Sequence, residues 1–217
     1  KNTENGLDAS YSIELPSNWS LENKEQIDDV LSSFENGILN DDLSLLDLHS
    51  FIDFIILNEL SKNIDAYRLS TYLGYDGNKV GTHVAWDYNI AWGLAEHGNG
   101  FDPIGFVIEG EFSDFHPYWW KILWENKKFQ IALKHRYAEH RKSELSNRNI
   151  RELISQYENL LSSQIELNFA KWPLMGKKIW PNKHKSNTHK EELDLLKTWI
   201  EQRLIWLDQQ WGMNATE

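Results

Sequence analysis

The feature that most constrains the fold is the run Phe51–Leu60, FIDFIILNEL, in which only three of ten residues are polar. Its spacing indicates a helix whose apolar residues lie on nearly every side. Because such a helix has to be covered all round, we predict that it forms the buried centre of the domain. Ser50 and Asp53 form an S-x-x-D pattern that predicts where the helix begins, and we expect it to end near Lys62.

A two-stranded hairpin between two acidic loops is predicted directly after this helix. Asp65 lies in the first loop. Alternating residues over 67–75 predict one strand, Asp76-Gly77-Asn78 supplies a turn, and Lys79–Ala85 predicts the returning strand. The second loop follows and carries Asp87. Because a hairpin returns the chain close to its start, we expect the two carboxylates to lie near each other.

Two carboxylates held on loops by a rigid scaffold are typical of metal-dependent phosphoryl transfer. One carboxylate orients and deprotonates the attacking hydroxyl, and the other holds Mg²⁺ against the phosphates. Asn63, Ser70 and Asn89 lie nearby in the sequence and carry oxygen ligands of the hard type that Mg²⁺ accepts. From the residues alone, the alternative stays open that Asp65 and Asp87 only stabilise turns by accepting hydrogen bonds from the local backbone.

The composition indicates a single domain over residues 1–217. Hydrophobic residues make up 41% of the chain and include 11 Trp, which is enough for one well-buried core. Helical spacing predominates after the hairpin, with one helix around Phe129, Leu133 and Tyr137, one capped by Asn149, and one over about 189–211. The predicted class is therefore α+β and predominantly helical. No apolar run is long enough to span a bilayer, and the lack of cysteine excludes disulfides and thiolate metal sites.

The negative charge of the chain is concentrated near its beginning. The formal net charge is −11, and residues 1–60 hold 13 Asp and Glu against two Lys. The remaining residues hold equal numbers of acidic and basic side chains. Without an overall basic face, we expect the chain not to bind nucleic acid broadly.

Three groups of His, Arg and Lys residues are further candidates for ligand contacts. The spacing of His83, His97 and His116 matches no standard zinc pattern, so we expect unrelated histidines. A predicted helix carries four basic residues: His135, Arg136, His140 and Arg141. They either bind a phosphate group of a nucleotide or substrate, or form salt bridges with the acidic beginning of the chain.

The polar segment 172–188 is rich in lysine, and two interpretations of it stay open. It is either a docking surface for an acidic peptide or a solvated loop. Trp92 and Trp180 lie beside loops rich in glycine or proline, so they are the tryptophans that we expect at an exposed contact surface.

The motifs NELSKNIDAYRLSTYL and VAWDYNIAWG, which contain the two aspartates, resemble those of the CotH family, the spore-coat-protein-H-like atypical kinases. Four further segments resemble the same family in the same order: FHPYWWKIL, KHRYAEHR, NFAKWPLMGKKIWPN and LKTWIEQRLIWLDQQW. Together they extend from Ser50 to Trp211. The resemblance implies a divergent kinase fold with a C-lobe-like domain, the use of Mg²⁺ and ATP, and transfer of phosphate to Ser or Thr of a protein substrate. It also implies a secreted or cell-surface location.

The resemblance assigns different roles to the two carboxylates. By motif, Asp65 of the N-x-D element resembles the catalytic aspartate, and Asp87 of the W-D-x-N element resembles the aspartate that binds the metal. Family members carry a basic lobe ahead of this region that grips the nucleotide phosphates, whereas residues 1–49 contain only Lys1 and Lys24 as strong cations. We therefore expect the chain to be the C-terminal part of a CotH protein, without the nucleotide-clamp lobe and dependent on it for activity.

Two alternatives to a kinase are kept. The first is a surface or coat-associated binding module that acts by contact alone, as some relatives of the family do in spore coats or as adhesins. The second is a metal-dependent hydrolase that uses the same two aspartates and releases inorganic phosphate.

Overall fold

The computed structural model describes residues 10–14 and 17–212. These residues form a predominantly helical fold with one small antiparallel sheet, as the sequence predicts. The likeness to a kinase C-lobe stays a prediction. The elements in chain order are α1 (Leu21–Leu39), α2 (Leu48–Ser61), β1 (Gly74–Tyr75), β2 (Val80–Gly81), α3 (Tyr118–Glu125), α4 (Lys127–Arg141), α5 (Asn147–Lys171) and α6 (His189–Trp211), with single turns of 3₁₀-helix at His97–Asn99 and Ser113–Phe115.

Helix α2 lies at the centre of the fold, which confirms the prediction from its apolar run. Phe51 and Ile55 are fully buried, and α2 packs against α4, α6 and β2. The predicted start at Ser50 is wrong, because the helix begins at Leu48 with Asp47 as its N-cap. Asp47 is fixed there by its backbone N–H, which donates to the Val80 carbonyl of β2 at 2.8 Å.

The hairpin is much shorter than predicted. Gly74 pairs with Gly81 and Tyr75 with Val80, so most of the predicted strands 67–75 and 79–85 is irregular. The reason lies in the backbone of the first segment, since Tyr67 and Ser70 have left-handed φ angles of 69° and 47°. These angles belong to turns and are incompatible with a strand.

The remaining helices follow the predicted apolar spacing, with one exception. Helix α4 buries Phe129, Leu133 and Tyr137, and α6 has the predicted bounds. The exception is α5, whose N-cap is Ser146 instead of Asn149 and which contains no buried residue. Helix α5 packs on α6 alone among the main helix contacts, so its other faces remain exposed.

Aromatic side chains fill the core around α2. Trp119 and Trp120, from α3, are buried and pack against each other with ring centroids 4.4 Å apart. Trp120 also stacks on Phe54 at 5.7 Å and meets the edge of Tyr67 at 5.0 Å. These contacts join α3 to α2 and to the loop that follows α2, so this loop rests on the aromatic core. None of the described helices is long and apolar enough to cross a membrane.

Asp53 joins α2 to α4, and this contact predicts a loss of stability in acid. The Arg136 guanidinium donates two hydrogen bonds of 2.8 Å to the Asp53 carboxylate, and His140 lies 2.9 Å from the same group. Partial burial acts to raise the pKa of Asp53, but the bonds from Arg136 and His140 outweigh it and lower the pKa below the ordinary 3.8. A carboxyl group with a lowered pKa stabilises the fold above its ordinary pKa, and the effect is lost as the pH falls through the folded-state value.

We therefore expect Asp53→Asn to lower the free energy of unfolding by roughly 0.5–1 kcal/mol at neutral pH, because the pair is partly exposed to solvent. The difference between the wild type and the variant should shrink as the pH falls below about 3.8. Urea denaturation over a pH series measures it. A difference that stays constant down to the acid limit would show that Asp53 does not act through its charge.

Candidate active site

The loop that carries Asp65 is anchored to the last turn of α2 through Asn58. The Asn63 backbone N–H donates to the Asn58 carbonyl at 3.0 Å, and the Asn63 side-chain amide donates to Asn58 Oδ1 at 3.2 Å. Asn58 Nδ2 donates in turn to the Phe54 carbonyl at 2.9 Å. Both asparagines are 1% exposed, so these bonds fix the loop from inside the protein.

Asp65 itself is half-buried and paired. Arg68 Nη2 donates to Asp65 Oδ1 at 2.7 Å, and the Arg68 guanidinium lies 4.5 Å from the centre of the Phe112 ring. The Asp65 backbone N–H also faces the Asn63 side-chain oxygen at 3.4 Å. The pair with Arg68 holds one carboxylate oxygen of Asp65 in place, as the positioning of a base or an orienting group requires.

The loop that carries Asp87 reaches the same end of α2. The Trp92 backbone N–H donates to the Ser61 carbonyl at 2.7 Å. Burial raises the pKa of the Tyr88 hydroxyl to about 12, and the nearby Asn58 side chain opposes this shift. The Tyr88 side chain therefore lies near Asn58, but its hydroxyl has no hydrogen-bond partner among the described residues, so the attachment of this loop to α2 rests on the Trp92–Ser61 backbone bond.

The Asp87 carboxylate is exposed to solvent and has no hydrogen-bond or ion-pair partner among the described residues. Its φ angle of 61° is left-handed, a conformation in which aspartate is tolerated better than most residues. Asn89, two residues further on, is also exposed. Free oxygen atoms on Asp87 and Asn89 suit a hard cation such as Mg²⁺.

The other predicted oxygen ligands fit a cation less well. The Asn63 amide uses its nitrogen for Asn58 and directs its oxygen towards the Asp65 backbone, so it supports the loop from within. Ser70 is half-buried in a turn. Within residues 10–14 and 17–212, no group of three or more His, Asp or Glu side chains is arranged to hold a metal ion. Of the predicted site residues, Asp87 and Asn89 are thus exposed, whereas Asp65 is half-buried and paired with Arg68.

A buried ion pair behind the Asp65 loop was not predicted from the sequence. Glu59 and Arg203 are both fully buried, with Arg203 Nη2 3.3 Å from Glu59 Oε2. The Glu59 carboxylate also accepts from the Tyr67 hydroxyl at 2.8 Å and from the backbone N–H groups of Val107 and Ile108 at 2.8 and 3.0 Å. The available signal was a glutamate inside an almost wholly apolar helix, since such a residue is buried only when it is paired.

Arg203 and Lys62 hold the backbone of segment 102–108 against this ion pair. Arg203 donates to the carbonyls of Glu59, Pro103 and Gly105 at 2.7, 2.7 and 2.8 Å. Lys62 Nζ donates to the carbonyls of Asp102 and Ile104 at 2.7 and 2.5 Å. Burial lowers the pKa of Lys62 to about 8, and the neighbouring Arg203 charge acts in the same direction. A glutamate, an arginine and a lysine thus connect the Asp65 loop to the long loop that follows the hairpin.

A cavity with a volume of about 860 Å³ is lined by other residues than those of this site. It is lined by residues of segment 106–134 and by the end of α6, and none of the predicted site residues lines it. His116 lies on its wall, where burial lowers the pKa of the imidazole to about 4 and the Arg68 charge acts in the same direction. Among the described residues, His83, His97 and His116 are not grouped in a way that could hold a metal ion.

Three of the four basic residues singled out on α4 form salt bridges, which was one of the two alternatives for them. Arg136 and His140 bind Asp53, in the acidic first part of the chain. Arg141 binds Asp208 of α6 at 2.8 Å.

The two tryptophans expected at an exposed contact surface differ in the structure. Trp180 is exposed, as expected. Trp92 is half-buried against the core, so the expectation for this residue is wrong.

Comparison with known proteins identifies the family of the chain. The family model described as CotH kinase protein matches residues 8–207 of the 217-residue chain. The match includes both aspartate loops and begins well before Ser50, where the similarity of the motifs begins. Comparison with curated proteins and with solved structures gave no significant match. Because the family model covers nearly all of the sequence, the chain belongs to the CotH kinase family.

Proposed function

We propose that the chain carries the catalytic segment of a CotH-type protein kinase that transfers the γ-phosphate of ATP to a Ser or Thr hydroxyl of a protein. The observation that carries this proposal is the attachment of both aspartate loops to the last turn of α2, the Asp65 loop through the Asn63–Asn58 hydrogen bonds and the Asp87 loop through the Trp92–Ser61 backbone bond. Membership of a kinase family supports the use of ATP and a divalent metal. That the protein is secreted, or lies at the cell surface or in a spore coat, stays a prediction from the resemblance.

In this proposal the two carboxylates act on different reactants. Asp65 orients the attacking hydroxyl and accepts its proton, with Arg68 holding one oxygen of the Asp65 carboxylate in place. Asp87, with Asn89, holds Mg²⁺, whose charge offsets the negative charge that develops on the phosphate oxygens. We expect the segment that grips the nucleotide phosphates to lie outside residues 1–217.

A binding module without catalysis is the second candidate, and the exposed apolar residues of α5 favour it. Leu153, Tyr157, Leu160 and Leu161 are all exposed and recur at helical spacing, so they share one face of α5. A contiguous exposed apolar patch, unlike single scattered residues, marks an interaction surface. A module of this kind would bind its partner without nucleotide and would show no metal-dependent binding of ATP.

The deciding experiment measures transfer of label from γ-labelled ATP in the full-length natural protein. The labelled products are the protein itself and an added Ser- and Thr-rich protein. We expect labelling that stops on chelation of divalent metal and returns when Mg²⁺ is added. Labelled inorganic phosphate without labelled protein would favour a hydrolase. The absence of both, together with no saturable heat on calorimetric titration of Mg²⁺-ATP, would favour the binding module.

A further inference from the structure

The sequence between Glu166 and Glu191 has the opposite charge to the rest of the chain. It contains six Lys and no Asp or Glu, in a protein of net charge −11. Most of this segment is the loop of residues 172–188 between α5 and α6, which we call the lysine loop. A concentrated positive charge on an acidic protein attracts an anionic partner to that part of the surface.

The lysine loop is held in one conformation against the segment that follows the Asp87 loop. The Glu96 backbone N–H donates to the Pro181 carbonyl, and the Lys183 backbone N–H donates to the Leu94 carbonyl, both at 2.8 Å. Within the loop, the Gly176 N–H donates to the Ser186 carbonyl at 2.8 Å. A surface ordered in advance loses little conformational entropy when it binds a partner.

Only part of the positive charge is neutralised inside the protein. Lys178 and Lys183 both pair with Glu96, at 3.0 and 3.3 Å. Lys177 and Lys185 are exposed and have no acidic partner among residues 10–14 and 17–212. These two lysines therefore remain available to carboxylates of another molecule.

An exposed tryptophan lies in the same loop. Trp180 is 81% exposed, although one face of its indole is stacked on His97 with ring centroids 5.5 Å apart and planes at 9°. The stack holds the ring in place and leaves its other face open. Tryptophan on a rigid surface is the residue type that contributes most to binding at protein interfaces.

We propose that the lysine loop is a docking surface for an acidic segment of the protein substrate, with Lys177 and Lys185 binding its carboxylates and Trp180 packing on its aliphatic or aromatic side chains. This inference rests on the proposed function, because a peptide-docking surface serves an enzyme that modifies proteins. Nucleic acid is the less favoured anion, since the net charge of −11 repels a long polyanion that extends beyond the loop.

The test uses a short fluorescein-labelled peptide of alternating Glu and Ser with one Leu and one Phe, and fluorescence anisotropy without nucleotide. We expect the full-length protein to bind it, to bind it more weakly as salt rises, and to ignore a matched peptide with Gln in place of Glu. The double variant Lys177→Gln/Lys185→Gln should weaken binding by about fivefold or more, and Trp180→Ala by about tenfold. The control Lys127→Gln/Lys142→Gln, which removes two exposed lysines of α4 and its C-cap, should leave the affinity unchanged.

Equal binding of the Glu and Gln peptides, unchanged affinity in the loop variants, or tighter binding of a single-stranded DNA oligonucleotide would each overturn the proposal. Its failure is distinguishable from failure of the proposed function, because the assay requires no phosphate transfer. If labelling by ATP is absent while Glu-peptide binding depends on the loop, the docking surface stands and the kinase assignment falls. If labelling occurs and the loop variants bind the peptide normally, the kinase assignment stands and the docking surface falls.

Discussion

Asp65→Asn is expected to reduce phosphate transfer by about a thousandfold while leaving the affinity for Mg²⁺-ATP nearly unchanged. The amide has the shape of the carboxylate, and its oxygen can still accept the hydrogen bond that Arg68 now donates to Asp65 Oδ1. It cannot take the proton of a hydroxyl. Single-turnover transfer from γ-labelled ATP measures the chemical step, and calorimetric titration of Mg²⁺-ATP measures binding in the same full-length protein.

Asp87→Asn should give the opposite signature. The exposed Asp87 carboxylate has no partner among the described residues, so we expect its replacement to leave the fold intact. The cation then loses one negatively charged ligand. We expect a higher Mg²⁺ concentration for half-maximal activity and a weaker, less metal-dependent titration with ATP.

Asp29→Asn is the matched control for both variants, because Asp29 is an exposed aspartate of α1 outside the proposed site. It should change neither transfer nor metal dependence. Full activity in Asp65→Asn would remove this residue from the mechanism, and an unchanged Mg²⁺ requirement in Asp87→Asn would remove it from the metal site.

The part of the fold that was predictable from the sequence is the part that periodicity determines. The all-round apolar run of α2 and the spacing of α6 identify helices because the burial of their side chains repeats along the chain. The strands were overestimated because alternation over 67–75 looks like a strand, whereas the left-handed backbone of Tyr67 and Ser70 is visible only in three dimensions. Helix α5 has the apolar spacing of a buried helix, and in the structure it contains no buried residue.

The candidate site was predictable only as a motif. Asp65 and Asp87 were identified from their places in the N-x-D and W-D-x-N elements, and the sequence does not show that the last turn of α2 anchors both loops. Glu59 and Arg203 are 144 residues apart in the sequence, and local pattern analysis has no means of pairing them. Candidate site residues can therefore be found from local motifs, whereas the contacts that support them join residues far apart in the sequence and require the tertiary structure.

The second large effect is expected from Arg203→Met, which should lower the free energy of unfolding by about 3–5 kcal/mol, as removal of one partner of a buried ion pair does. The substitution preserves most of the volume and leaves Glu59 buried without its counter-ion. It also leaves the Pro103 and Gly105 carbonyls without the donor that Arg203 supplies. Guanidinium denaturation, with the m-value checked for two-state behaviour, measures the loss.

Arg151→Met is the matched control, because it breaks an ion pair with Glu201 that lies two residues from Arg203 on α6 and is exposed on both sides. That change should lower the free energy of unfolding by less than about 1 kcal/mol.

Arg203→Lys separates charge from geometry. The lysine keeps a cation near Glu59, but it lacks the forked guanidinium that donates to the carbonyls, so we expect an intermediate loss of stability. If Arg203→Met and Arg151→Met cost the same, the buried pair would not be what holds segment 102–108 and the Asp65 loop together. If only Arg203→Met is costly, and Arg203→Lys stays folded but transfers phosphate more slowly, the stability of this pair and the position of Asp65 are coupled through Glu59 and Tyr67.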